Sequence, residues 1–252
     1  MEVIKTRRDL KRPKPSLSFS FTGDYEYTED ADGWVLRLLS DGTLTIRKTV
    51  YIDLFIQNGG CAGSYINSSY AHNYPTALIY EGYPGLAQNY YKQIITSGDY
   101  PIVIGPGGSG LTKESISPYY GATPSSAFGF CPDNGRSQEE YKYFGEGDVA
   151  PFDDETLHVK WNTSGVGGNG LNQYAYDTAS DKSYFLKTGY GVYATYGGGN
   201  GSMSKSARGE NGQANTGSGG GGGWWEGNNE DIGSFTYGGD GGSGLIVLRN
   251  AR

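Results

Sequence analysis

The chain has 252 residues, of which 36 % are apolar, 14 % aromatic and 19 % charged, and its net charge at pH 7 is −7. Its length allows a substantial core in one large domain, and its charge content is too low for a disordered chain. Six cations, Lys5, Arg7, Arg8, Lys11, Arg12 and Lys14, stand against Glu2 and Asp9 before position 15, so this arm is +4 and the body −11; an acidic body argues against binding nucleic acid through its phosphates.

Two cysteines, Cys61 and Cys131, allow at most one internal disulfide and demand no oxidising compartment. No apolar stretch follows the basic residues and no run has the length of a membrane span, so the expectation is synthesis in the cytoplasm without an export signal and without membrane insertion. Pro13 and Pro15 stop any helix from entering the body. Residues 1–15 read either as an attachment arm for an acidic partner surface or as a solvated terminus.

From Ser16 the apolar period is two: Leu17, Phe19 and Phe21 alternate with polar residues. Residues 34–39 and 43–47 read as strands joined by an Asp41-Gly42 hairpin turn, and Val50 to Ile56 as a strand buried on both faces, the whole forming an antiparallel meander. Tyr91 to Thr96 and Tyr100 to Ile104 read as a second hairpin, with a short strand at Thr76 to Tyr80. Residues 105–155 read as a long elaborated loop. Further strands are expected at 156–161, 183–187, 190–196 and 245–249, and no stretch of ten residues carries a helical period.

Nineteen of the 43 glycines fall between Gly197 and Gly244, where Gly219 to Gly223 lead into Trp224-Trp225 and the run ends in Leu245-Ile-Val-Leu248. A flexible linker has no use for such an ending, since aromatics and a closing strand need something to bury against. Extended threefold helices of polyglycine II geometry supply it, because chains without side chains pack backbone to backbone. The fold expected is all-β, an antiparallel sandwich-like domain over residues 16–252 with Gly-rich loops and packed polyglycine II segments.

Catalytic motifs fail on context. Gly105 to Gly110 and Gly239 to Gly244 both satisfy G-x-G-x-x-G, but neither has the strand before and helix after that a dinucleotide site needs. His72 and His158 are the two histidines, no nucleophile elbow accompanies them, and with Cys61 and Cys131 they lack the close pairing of a zinc site. Acidic residues such as Asp153 and Asp154 read as turn residues. The expectation is therefore no catalytic residue, no metal and no cofactor. Loop composition is more informative. Tyr, Ser, Gly and Asn dominate 58–91, 116–144 and 162–196, a mixture that suits either an adaptable binding surface or a cover for a glycine core. On the first reading a sugar is the natural ligand, and the candidate contacts are Tyr65, Tyr70 and Tyr74, then Tyr119, Tyr120 and Phe128, then Trp224 and Trp225.

Three stretches, Trp34 to Ile46 continuing to Gly59-Gly60, Tyr100-Pro-Ile-Val-Ile-Gly-Pro-Gly-Gly108, and Gly238-Gly-Asp-Gly-Gly-Ser-Gly-Leu-Ile-Val-Leu248, resemble the opening, middle and closing motifs of the glycine-rich tail and fibre proteins of bacteriophages and prophages, mainly those of Gram-positive hosts. The resemblance spans roughly residues 30–250 with gaps, and departs at the first loop, where Gln57 to Ser64 is short and interrupted. It implies a virion component at a fibre or tail tip, assembled in the host cytoplasm, with other tail or fibre proteins and a host-surface glycan as partners and a trimer as an assembly it would allow. A purely architectural virion protein is the alternative, and a polysaccharide hydrolase a distant third.

Overall fold

Alternating apolar residues over the first hundred positions pair into two facing antiparallel sheets. The computed structural model describes residues 16–30, 33–65, 79–80, 82–110, 121–136, 143, 145, 149–163, 165–167, 172–174, 186–188, 194, 196–202, 207–226 and 234–252. The first sheet has five strands in the order β2 (Tyr25–Glu29), β3 (Trp34–Leu38), β15 (Leu245–Asn250), β5 (Val50–Gln57) and β8 (Ala87–Ile95). The second has four, β1 (Phe19–Phe21), β4 (Gly42–Ile46), β9 (Gly98–Val103) and β10 (Ser126–Ala127). Trp34, Leu36 and Leu38 of β3, Ile52, Leu54 and Ile56 of β5, and Ile246 and Leu248 of β15 meet Leu44 and Ile46 of β4 and Ile102 of β9 in a core where none is more than 2 % exposed. Each such Leu or Ile contributes about 1.5–3 kcal/mol by leaving water.

The closing strand is central. Leu245 to Asn250 pairs with β5 on one side and β3 on the other, so the last apolar run joins segments nearly two hundred residues away. From Ile52 to Gln57 in β5 and from Leu245 to Leu248 in β15 both faces are buried: Phe55, Leu245 and Val247 point away from the sandwich and are covered by Phe152, Leu157 and Trp161. Between Ile52 and Leu54 the β5–β8 register shifts, leaving Tyr91 and Lys92 opposite Asp53. Asp53 is 1 % exposed, and its carboxylate accepts the Lys92 N–H at 3.0 Å and the Arg249 Nε–H at 3.0 Å.

Four expectations are corrected. Asp41-Gly42 is not a hairpin turn, because β3 and β4 lie in different sheets; Asp41 Oδ1 instead accepts the Ile104 N–H at 2.6 Å, which fixes a crossover between the layers. β8 and β9 are likewise in opposite sheets, and the hairpin of the five-stranded sheet is β2–β3. Residues 155–161 form a helix, α1 (Glu155–Trp161), not a strand: Asp154 caps it by accepting the Thr156 N–H at 3.0 Å, Asn162 ends it with φ 50°, and Leu157 and Trp161, one helical turn apart, pack on the sheet. Ala194 and Tyr196, the described part of 190–196, are not in a strand, and the strand expected at 183–187 lies at Leu186–Thr188 where it is described.

Beyond Gln57, Ala87 and Leu245, neighbours in one rank of the sheet, the chain leaves β geometry and continues as glycine segments. The segment 217–223 is their axis. Gly219, Gly220 and Gly221 donate to the carbonyls of Gly165, Cys61 and Glu210, each at 2.9 Å. In return Gly217 and Gly220 accept from Gly85 and Gly82, Ser218 and Gly221 from Gly242 and Gly239, and Gly219 and Gly222 from Gly199 and Ser202, at 2.7–3.0 Å. The accepting carbonyls repeat their partners every three residues, and three successive amides donate in three further directions, so the segment is a threefold extended helix with six neighbours. Such a helix bonds to parallel and antiparallel neighbours alike, and both occur: 199 and 202 run with the axis, 82 and 85 against it. Glycine is obligatory at this approach, since a Cβ at Gly219, Gly220 or Gly221 would sit well under 3.0 Å from the backbone of Gly82, Gly239 or Asn200. Among the described residues no helix is long and apolar enough to cross a membrane.

Candidate functional site

The site is a pole rather than a pocket, and the lattice makes it. Three changes of backbone geometry at the sandwich end are held by side chains. Gln57 Nε2 donates to the Gly85 carbonyl at 2.5 Å, Asn58 donates to the carbonyls of Pro132 and Tyr143 and accepts the Ser125 N–H at 2.8 Å, and Ser125 Oγ accepts the Gly105 N–H at 2.9 Å. Gln57, Asn58 and Ser125 are fully buried, so the junction satisfies backbone groups that neither the sheet nor the lattice can pair.

From this junction the glycine segments run one way. Gln57 pairs with Leu245, Gly60 donates to Gly242, and Gly63 donates to Gly239; each step of three residues is one step further from the sandwich. The far ends of these segments are Gly63, Gly82, Gly110, Gly167, Ser202 and Gly223. At that end lie β6 (Ser64–Tyr65), which pairs with β7 (Ile79–Tyr80), and a small four-stranded sheet in the order β12 (Leu186–Thr188), β11 (Asn172–Tyr174), β13 (Trp225–Glu226) and β14 (Ser234–Phe235). The stems of the long Tyr-, Ser- and Asn-rich insertions therefore share one pole. The opposite pole holds the other end of the sandwich, where Phe19 pairs with Ile46, Ile46 with Gly98, and Asn250 with Ile52.

The predicted contact residues divide accordingly. Tyr65 lies in β6 and Trp225 in β13, both at the loop pole, and Trp225 is opposite Phe235 and beside Asn172 in register. Trp224 is 3 % exposed and its backbone N–H donates to Thr236 Oγ1 at 2.8 Å, so it anchors the pole from within. Phe128 sits apart: its ring meets Tyr100 edge-on at 4.9 Å on the flank of the sandwich core. Tyr70, Tyr74, Tyr119, Tyr120 and the basic residues Lys5 to Lys14 lie outside the described residues.

Sequence reasoning missed Arg208 and Asp240. Arg208 donates to the Gly238 carbonyl from Nε at 3.1 Å and from Nη2 at 2.8 Å, and pairs with Asp240 Oδ1 at 3.1 Å. The same carboxylate oxygen accepts the Gly110 N–H at 2.7 Å, so one ion pair ties together three segments that carry loop stems. Its signal is a charged residue directly beside a glycine in each of two glycine runs, Arg208 before Gly209 and Asp240 between Gly239 and Gly241, legible once the runs are known to be neighbours.

Cys61 and Cys131 are both free thiols, one buried in the lattice and one exposed; burial pushes the Cys61 thiol up to about 12, which keeps it protonated and unreactive. His158 is buried on α1 with Nδ1 at 2.8 Å from Thr163 Oγ1. Among the described residues no three of His, Cys, Asp and Glu are placed to hold a metal ion. No protein-family model matches the chain, and no curated protein is significantly similar to it.

Proposed function

We propose that this protein is a phage tail- or fibre-associated component that binds the host cell surface, with its loop pole as the receptor-binding end and a cell-wall glycan as the ligand. One observation carries the reading: a hydrogen-bonded glycine lattice brings the stems of long Tyr/Ser/Asn-rich insertions to a single pole, facing away from the sandwich. Recognition is normally borne by loops on a rigid scaffold, and a lattice without side chains is rigid through its backbone alone, so loop sequence is free to vary without disturbing it. Tyrosines offer flat amphipathic area for sugar faces, and neighbouring Ser and Asn offer partners for hydroxyls. A body charge of −11 disfavours a bare polyphosphate and favours a neutral or metal-bridged glycan.

The test is adsorption. Purified protein is incubated with host cells and with isolated wall polysaccharide, and both retention and released sugars are measured. Retention without release is the expected outcome. Released sugars would indicate a hydrolase, and failure to bind either target would leave an architectural role.

A further inference from the structure

On the outer face of the five-stranded sheet, the cover formed by Phe152, Leu157 and Trp161 stops at the rank of Asp53 and Arg249, where the guanidinium lies 4.1 Å over the Phe152 ring. Past that rank, toward the pole opposite the loops, the face is open. Tyr51 and Ile94 are direct cross-strand partners there, 61 % and 59 % exposed, and Tyr91 beside them is 41 % exposed. Isolated exposed apolar residues are ordinary, but two side chains directly opposite on neighbouring strands form one continuous surface.

Its rim is cationic. Lys48 lies in the turn leading to β5, Lys92 in the bulge beside Ile94, and Arg252 follows Ala251, whose N–H is donated to the Tyr51 carbonyl at 3.1 Å. All three are exposed, and among the described residues none is in an ion pair, unlike Arg37, Arg208 and Arg249. Two acids lie nearby: Asp99 accepts from Thr45 Oγ1 on the facing sheet, and Asp153, which accepts the Tyr91 hydroxyl, bounds the face on the side of the Phe152 cover, so the cations outnumber the one carboxylate at its edge. In a chain of net −7, this is a local reversal of sign.

We infer that the Tyr51–Ile94 face is a docking site for a short acidic peptide segment of a partner protein, with apolar side chains between its carboxylates. A second copy packed face to face is disfavoured, because it would oppose Lys48, Lys92 and Arg252 to their own images. Strand addition along β8 is also disfavoured: the bulge at Lys92 breaks the edge, and Gln93 Nε2 already donates to the Tyr91 carbonyl at 2.7 Å. The peptide therefore lies on the face of the sheet, not along its edge.

The probe is an acetylated, amidated peptide of alternating Asp and Leu, titrated into the full chain while amide shifts are followed by NMR, with an alternating Lys and Leu peptide as its counterpart. Saturable shifts confined to residues 48–52, 91–95 and 251–252 are expected with the acidic peptide alone, weakened by salt and by at least about tenfold in Tyr51→Ser/Ile94→Ser. Should that double variant fail to fold, Lys48→Glu/Lys92→Glu must weaken binding to the same degree. No binding, binding indifferent to both variants, or preference for phosphatidylglycerol vesicles or duplex DNA would overturn the inference. So would self-association in sedimentation equilibrium that the double variant abolishes. The double variant should still adsorb to cells, so loss of docking is separable from loss of receptor binding.

Discussion

The glycines of the axis differ from those of the strands in what surrounds them, and substitution separates the two. Gly219→Ala places a Cβ against the backbone of Gly82, which has no flexible side chain to move aside. Overpacking typically costs about 1–3 kcal/mol where neighbours can shift, so a loss at or above the top of that range is expected in denaturant titration. Gly98→Ala meets only the Tyr100 side chain, 3.6 Å or more away, and should be neutral or slightly stabilising. Similar losses at both positions would mean the lattice is not close-packed. Cys61 gives a second residue-scale expectation. Its thiol pKa is raised by burial from 9.0 to about 12, and that of Tyr90 is raised from 10.0 to about 12, again chiefly by burial. A raised folded-state pKa gives stability that is full below the unfolded value and is lost as pH rises through the folded one. Stability should therefore fall as pH climbs from about 9 to about 12. Before unfolding, a thiol reagent should titrate Cys131 and leave Cys61 untouched; rapid native labelling of Cys61 would contradict its placement.

Among the elements, the axis 217–223 behaves unlike any linker of its composition. Each glycine loses more conformational freedom on ordering than another residue would, and that cost is offset by the hydrogen bonds that the amides of 217–221 donate and the carbonyls of 217–222 accept. Amide hydrogen exchange across Gly217 to Gly223 should accordingly be protected to the level of β15, and random-coil rates throughout would remove the lattice. α1 shows the opposite balance. A seven-residue helix is marginal alone, and it persists because Asp154 caps it and because Leu157 and Trp161 cover Phe55, Leu245 and Val247. Its sequence alternates as a strand would, so tertiary burial at a spacing of four decided between two locally acceptable readings.

For the whole molecule, the arrangement of poles explains why some features were legible and others were not. The strands read at 34–39, 43–47, 50–56 and 245–249 are found within a residue of those bounds, because alternation and continuous apolar stretches are local patterns that burial must satisfy. Packing of the glycine runs is an expectation set against a flexible linker, resting on the aromatics and the strand that follow them, and only the backbone hydrogen bonds along 217–223 decide it. The sequence by itself did not determine which sheet each strand joins: Asp41-Gly42 fits a tight turn equally well whether the chain folds back or crosses to the other layer, and the choice rests on the distant Ile104 N–H. Nor could it place Arg208 beside Asp240, or assign Phe128 to the sandwich flank and Trp225 to the loop pole. Those facts depend on which glycine helices are neighbours. A threefold helix without side chains bonds equally well in six directions, so its partners are chosen not by its own residues but by where the strands and loops at its two ends oblige it to run.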